Sequence, residues 1–149
     1  MRNLTLILII TLLLTVGTWA ADPIQTQPSS DGKMDVALIG CKIRNNVLTI
    51  KISIENISES RIEPELTFKD FYYTDINAQK KYYALKDSDG KYIAGPVNSG
   101  WQGGLFKTKI PPKEKRIIWV KFPGPPEQCK SIDIFCPAIL PFEDIEIKH

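Results

Sequence analysis

The sequence predicts an all-β fold, and three observations carry that expectation. Residues 47–57 alternate, with Leu48, Ile50, Ile52 and Ile54 set against Thr49, Lys51, Ser53 and Glu55, the period of a half-buried strand. Eleven prolines punctuate the 149 residues, which suits short strands joined by turns better than long helices. β-Branched and aromatic residues, which fit a pleated surface, are frequent.

The elements follow in chain order. Residues 1–20 have the form of a secretory signal: Arg2 is a short positive region, Leu4 to Val16 is apolar apart from Thr5, Thr11 and Thr15, and Thr18-Trp19-Ala20 places small residues at both positions a signal peptidase reads. The run falls short of the roughly 20 residues a membrane-spanning helix needs. No cysteine follows it to carry a lipid anchor. The mature chain is therefore expected to begin at Ala21, secreted or periplasmic, with no membrane insertion after cleavage. Residues 21–33 are polar and aperiodic and read as a flexible leader. Residues 34–43 alternate, and Asn45-Asn46 makes a hairpin turn into residues 47–57. Residues 62–73 read as a third extended segment ending in Phe71-Tyr72-Tyr73.

Residues 81–86 and 91–94 flank Asp87-Ser88-Asp89-Gly90, whose Asp-Gly step favours the positive φ angles of a tight hairpin. Residues 95–104 hold four glycines and a proline and are expected to form a long loop. A turn at Pro111-Pro112-Lys113-Glu114 precedes a strand over 116–122, which Pro123-Gly124-Pro125-Pro126 ends by removing ladder donors. Residues 131–136 form the next strand and 142–147 a short edge strand. About seven to nine short strands at this spacing indicate an immunoglobulin-like β-sandwich, one domain over residues 34–149.

Several stretches then resemble a known group. Lys81-Tyr82-Tyr83-Ala84-Leu85-Lys86-Asp87-Ser88-Asp89-Gly90, Trp119-Val120-Lys121-Phe122-Pro123-Gly124-Pro125-Pro126, Ile132-Asp133-Ile134 and Pro141-Phe142-Glu143-Asp144-Ile145 look like motifs of small bacterial extracytoplasmic proteins with an immunoglobulin-like sandwich. The resemblance runs from about Val36 onward. It implies a fold and a compartment, and it carries over no catalytic residue. The three cysteines and residues 95–104 depart from the group's pattern.

Cys41, Cys129 and Cys136 are destined for an oxidising compartment if the signal is used, and their odd number leaves one over. Cys129 and Cys136 would stand roughly 23 Å apart on a straight strand, against a limit of about 7 Å for a bridge. Cys41 is thus the expected shared partner, with Cys136 the first choice and Cys129 the alternative. A third reading treats all three as small buried hydrophobes.

Composition excludes more than it assigns. Loss of Arg2 with the signal takes the basic count from 19 to 18 against 17 acidic residues, a net charge near +1 that steers the protein toward neither nucleic acid nor an anionic membrane. The sole histidine, His149, is the last residue, which argues against a serine triad or a histidine zinc site. Asp87 to Gly90 lacks the third acidic position and the bidentate glutamate of a calcium loop, and Glu143, Asp144 and Glu146 suit the solvent face of an edge strand. Asn56-Ile57-Ser58 is a glycosylation sequon that reads as a strand end. No catalytic group, cofactor or metal is expected.

Aromatic residues are the better prospect. Alternation sends Tyr72 to the face opposite Phe71 and Tyr73, and separates Tyr82 from Tyr83 in the same way. Trp101, within the glycine-rich stretch, together with Tyr72, Tyr73, Tyr82 and Tyr83, is the candidate recognition set. The expected function is a binding module for an envelope or host component, an unidentified protein or glycan. A passive envelope accessory and a hydrolase working without histidine are the alternatives.

Overall fold

A computed structural model describes residues 22–96 and 104–148. The expected signal, Trp101 and His149 lie outside the described residues. Eleven strands in three antiparallel sheets make up the described fold, with one short 3₁₀ turn at Phe68–Asp70. The described residues are all-β, as expected. No helix among the described residues is long and apolar enough to cross a membrane.

The largest sheet has the order β1-β2-β3-β9-β7, built from β1 (Gln25–Pro28), β2 (Met34–Arg44), β3 (Val47–Asn56), β9 (Lys115–Pro123) and β7 (Ala94–Gly95). The second has the order β11-β10-β5-β6, from β11 (Phe142–Glu146), β10 (Ser131–Phe135), β5 (Tyr72–Asp75) and β6 (Lys80–Tyr83). A small third sheet pairs β4 (Glu65–Thr67) with β8 (Leu105–Lys107).

The β2–β3 hairpin forms where alternation and turn chemistry agree. Asn45 and Asn46 adopt φ of 50° and 57°, the left-handed pair a two-residue hairpin requires. Leu48, Ile50, Ile52 and Ile54 all face the core. Facing them are Tyr73, Ile132, Ile134 and Phe142 of the second sheet, so one core fills the space between the two large sheets. Tyr73 of β5 meets Phe122 of β9 edge-on at 5.8 Å, a direct contact across that core. Each fully buried isoleucine or leucine contributes about 1.5–3 kcal/mol over its exposed state, so the interior faces of β3 and β10 carry much of the stability.

Three expectations are corrected. Gln25–Pro28, placed in a flexible leader, form an edge strand with Gln25 paired to Leu38 and Pro28 to Asp35. The strand is held through its side chains as well: Gln27 Nε2 donates to the Pro141 carbonyl at 2.9 Å, and Gln25 Oε1 accepts from the Glu143 N–H at 3.0 Å. The segment 62–73 is not one strand, because the 3₁₀ turn at Phe68–Asp70 breaks it into β4 and β5. Gly95, expected to open a loop, belongs to β7 and pairs with Trp119.

Asn56 closes β3. Its side chain is fully buried; Nδ2 donates to the carbonyls of Ser60 and Ile110, and Oδ1 accepts from Ser58 N–H and Oγ. The amide of the sequon is thus committed to the fold. Asp87 to Gly90 makes the expected turn: Asp87 Oδ1 accepts from the N–H groups of Asp89 and Lys91, and Gly90 adopts φ of 77°.

Candidate recognition surface

Registration of β10, β5 and β6 sorts the aromatic residues into two rows. Phe135 pairs with Tyr72 and Tyr72 with Tyr83, while Ile134 pairs with Tyr73 and Tyr73 with Tyr82. Successive side chains point to opposite faces, so the two rows lie on opposite sides of the sheet. The inner row belongs to the core. Tyr73 is fully buried, stacks on Tyr82 at 4.7 Å and 8°, and donates its hydroxyl to the Pro123 carbonyl at 2.9 Å. Burial first, then the proximity of Tyr82, Cys129 and Asp75, holds its phenol well above the usual range.

Tyr73 is therefore a core residue and not a recognition residue. Tyr82 is packed against the core and carries Lys80 Nζ at 5.0 Å over its ring. Tyr73 is thus withdrawn from the surface and Tyr82 is half-buried against the core, by the same alternation that turns their neighbours outward.

The outer row, Phe135–Tyr72–Tyr83, faces solvent. Tyr72 stacks on Phe135 at 4.4 Å and 12°, and meets Tyr83 at 5.6 Å and 48°. Aromatic pairs of this kind contribute about 0.5–1.5 kcal/mol each beyond burial. Lys81 Nζ lies 4.4 Å from the Tyr72 centroid and covers one part of the row. Tyr83, at the edge, remains 56% exposed.

The neighbouring outward row is polar: Asp133 pairs with Thr74 and Thr74 with Lys81. Asp133 Oδ1 accepts from the Asp144 N–H at 2.9 Å, and Asp144 sits at φ of 52° beside the register shift between β10 and β11. Three rings in line, bordered by a carboxylate, a hydroxyl and an ammonium, form an apolar strip with a polar margin. Phe135 was missed by sequence reasoning. Its only signal was the outward parity relative to Ile132 and Ile134, and its meeting with Tyr72 depends on a pairing across more than sixty positions of chain.

The expected cysteine bridge is absent: Cys41, Cys129 and Cys136 are all thiols. Cys136 follows the end of β10, and Cys41, on β2, lines a cavity of about 400 Å³ with residues of β11 from Glu143 to Glu146. Cys129 directs its sulfur to the Ser131 carbonyl at 3.3 Å and interacts with the Asp75 carboxylate. Burial pushes the Cys41 thiol up to about 11 and raises Cys136 further; Cys129 is raised by desolvation and then by Asp75. Such thiols are protonated and poorly nucleophilic at neutral pH.

Glu143, Asp144 and Glu146 lie exposed on β11, as the edge-strand reading expects. No group of three histidine, cysteine, aspartate or glutamate side chains suited to a metal ion occurs among the described residues. No protein family, curated protein or solved structure matches the chain.

Proposed function

We propose that this protein is an extracytoplasmic binding module of immunoglobulin-like topology that engages a protein or glycan of the envelope or host, acting by binding and not by catalysis. The observation that carries the reading is the outward row Phe135–Tyr72–Tyr83, an in-register aromatic strip with Lys81 and Asp133 at its margin. Tyrosine presents a large, rigid contact area at low entropic cost, and such residues dominate recognition patches.

Strand order supports the topology. β2-β3-β9-β7 follows the A-B-E-D order and β11-β10-β5-β6 the G-F-C-C′ order of immunoglobulin-type sandwiches. The signal-like residues 1–20 support export. The testing experiment is affinity capture from envelope extract and host lysate with the natural chain and with Tyr83→Ser. Exposure of Tyr83 lets that substitution leave the fold intact. A partner retained by the natural chain and lost by the variant supports the reading; a partner retained equally by both would move the binding surface away from the aromatic row, and no retained partner favours a passive envelope accessory.

A further inference from the structure

The opposite large sheet carries a different chemistry. Along the outward face of β2, β3 and β9, the registered rows are Arg44–Val47–Pro123, Lys42–Thr49–Lys121 and Gly40–Lys51–Trp119. These three rows hold four cations and no carboxylate. The carboxylates of this face, Asp35 and Glu55, stand two rows further along, where Glu55 is paired with Lys115 at 2.9 Å. None of Lys42, Arg44, Lys51 or Lys121 joins an ion pair among the described residues. Gathering like charges without counter-charges costs stability, and an anionic partner would offset that cost.

The face is also shaped. Gly40, opposite Lys51, has no side chain, and an open groove of about 350 Å³ forms there, lined by Ile39, Gly40, Lys42, Arg44, Thr49 and Lys51. A Cβ at Gly40 would lie 3.4 Å from Lys51 Cβ and narrow it. Trp119 flanks Lys51 in the same row, its indole reaching over Gly95, where an added Cβ would come within 2.9 Å of the ring. Lys121 Nζ stands 6.0 Å from that ring. With strands about 4.8 Å apart, Lys42 and Lys121 are about 10 Å apart across Thr49, with Lys51 in the next row between them.

We propose that this face binds an anionic polysaccharide, a sugar chain bearing sulfate or carboxylate groups. Lysine and arginine would take the anionic groups with charge-assisted hydrogen bonds, the Thr49 hydroxyl a ring hydroxyl, and the indole the apolar side of a sugar. The surface is flat and offers one ring, where single-stranded nucleic acid calls for a series of stacking rings and duplex DNA for an element entering its groove. The long aliphatic side chains of this face among the described residues are Ile39 beside the groove and Ile117 in the next row, short of the continuous apolar face that a bilayer interface takes. The inference lies beyond the aromatic row and does not depend on it.

Calorimetry with heparin as the probe, across a salt series, tests it. Neutralisation of three to four anionic groups should give a slope of log affinity against log salt of roughly −3. The double variant K42Q/K51Q should weaken binding at least about tenfold and flatten the slope, while its thermal unfolding temperature stays level or rises as the like-charge repulsion is relieved. Trp119→Ala should weaken binding without changing the slope, and K107Q/K113Q should bind as the natural chain does. Absence of heparin binding, equal binding by K42Q/K51Q, or tighter binding to duplex DNA or to phosphatidylglycerol vesicles than to heparin would overturn the proposal.

Discussion

Tyr73 donates its phenolic hydroxyl to the carbonyl of Pro123 at 2.9 Å, tying the middle of β5 to the end of β9 across the core. Its chain neighbour Tyr72 turns the other way and stacks on Phe135. One residue of offset thus separates a structural tyrosine from a surface one.

The two tyrosine classes should separate in stability measurements. Tyr73→Phe removes the donor and leaves the Pro123 carbonyl short of a partner, at a cost of about 1–3 kcal/mol. Tyr83→Ser, at the exposed edge of the outer row, should cost about 0.5 kcal/mol or less. Urea unfolding of both variants checks this. Equal losses would mean that the inner and outer rows are not distinct.

Gly124 should resist any side chain. Its N–H donates to the Asn46 carbonyl at 2.8 Å, and a Cβ built there would stand 2.6 Å from Asn46 Oδ1 and 2.8 Å from the Asn46 backbone. Gly124→Ala must therefore push the Pro123 corner away from the β2–β3 turn, and overpacking of this kind costs about 1–3 kcal/mol. Thermal unfolding measures it. Asn46→Gly relieves only the side-chain contact, so it should rescue Gly124→Ala in part.

Alkaline pH should weaken the fold through its thiols. Burial raises Cys41 from its ordinary value of 9.0 to about 11, so the unfolded chain releases the proton first. The stabilisation from the buried neutral thiol is whole below pH 9 and is lost as pH rises to about 11, reaching about 2–3 kcal/mol at its limit. Cys129, Cys136 and Tyr73 are shifted in the same direction and deepen the fall. Unfolding free energies at pH 8 and pH 10.5 should show the decline, and Cys41→Ala should lessen it. Thiol titration in denaturant should count all three cysteines.

Much of this fold was legible because local and global signals agree. Leu48 to Ile54 alternate because one face of β3 is buried along its whole length, and Asn45-Asn46 tolerate the left-handed region their turn demands. β1 was illegible for the opposite reason: Gln25, Thr26 and Gln27 carry no apolar period, and their pairing is decided by the edge of β2 and by two glutamine amides reaching β11. β4 and β8, at three residues each, are too short for periodicity to register.

The candidate surfaces divide in the same way. The parity of Tyr72 and Tyr83 follows from alternation, whereas the alignment of Phe135 with them depends on long-range register. A net charge of only +2 concealed the sorting of Arg44, Lys42, Lys51 and Lys121 onto one face, since a sum over the chain contains no geometry.

The central claim is that the outward face of β10, β5 and β6 is where a partner docks. Site-specific placement of a photoactivatable phenylalanine analogue at Tyr83, and separately at Ile117 on the outward face of the opposite sheet, tests it most directly in envelope extract and host lysate. Both positions are more than half exposed, so neither insertion disturbs the core. A discrete covalent protein adduct formed from position 83 and not from position 117 is the predicted result, since sugar chains are the occupant proposed for the face around position 117. An adduct from position 117 alone, or none from position 83 in either extract, would contradict the claim.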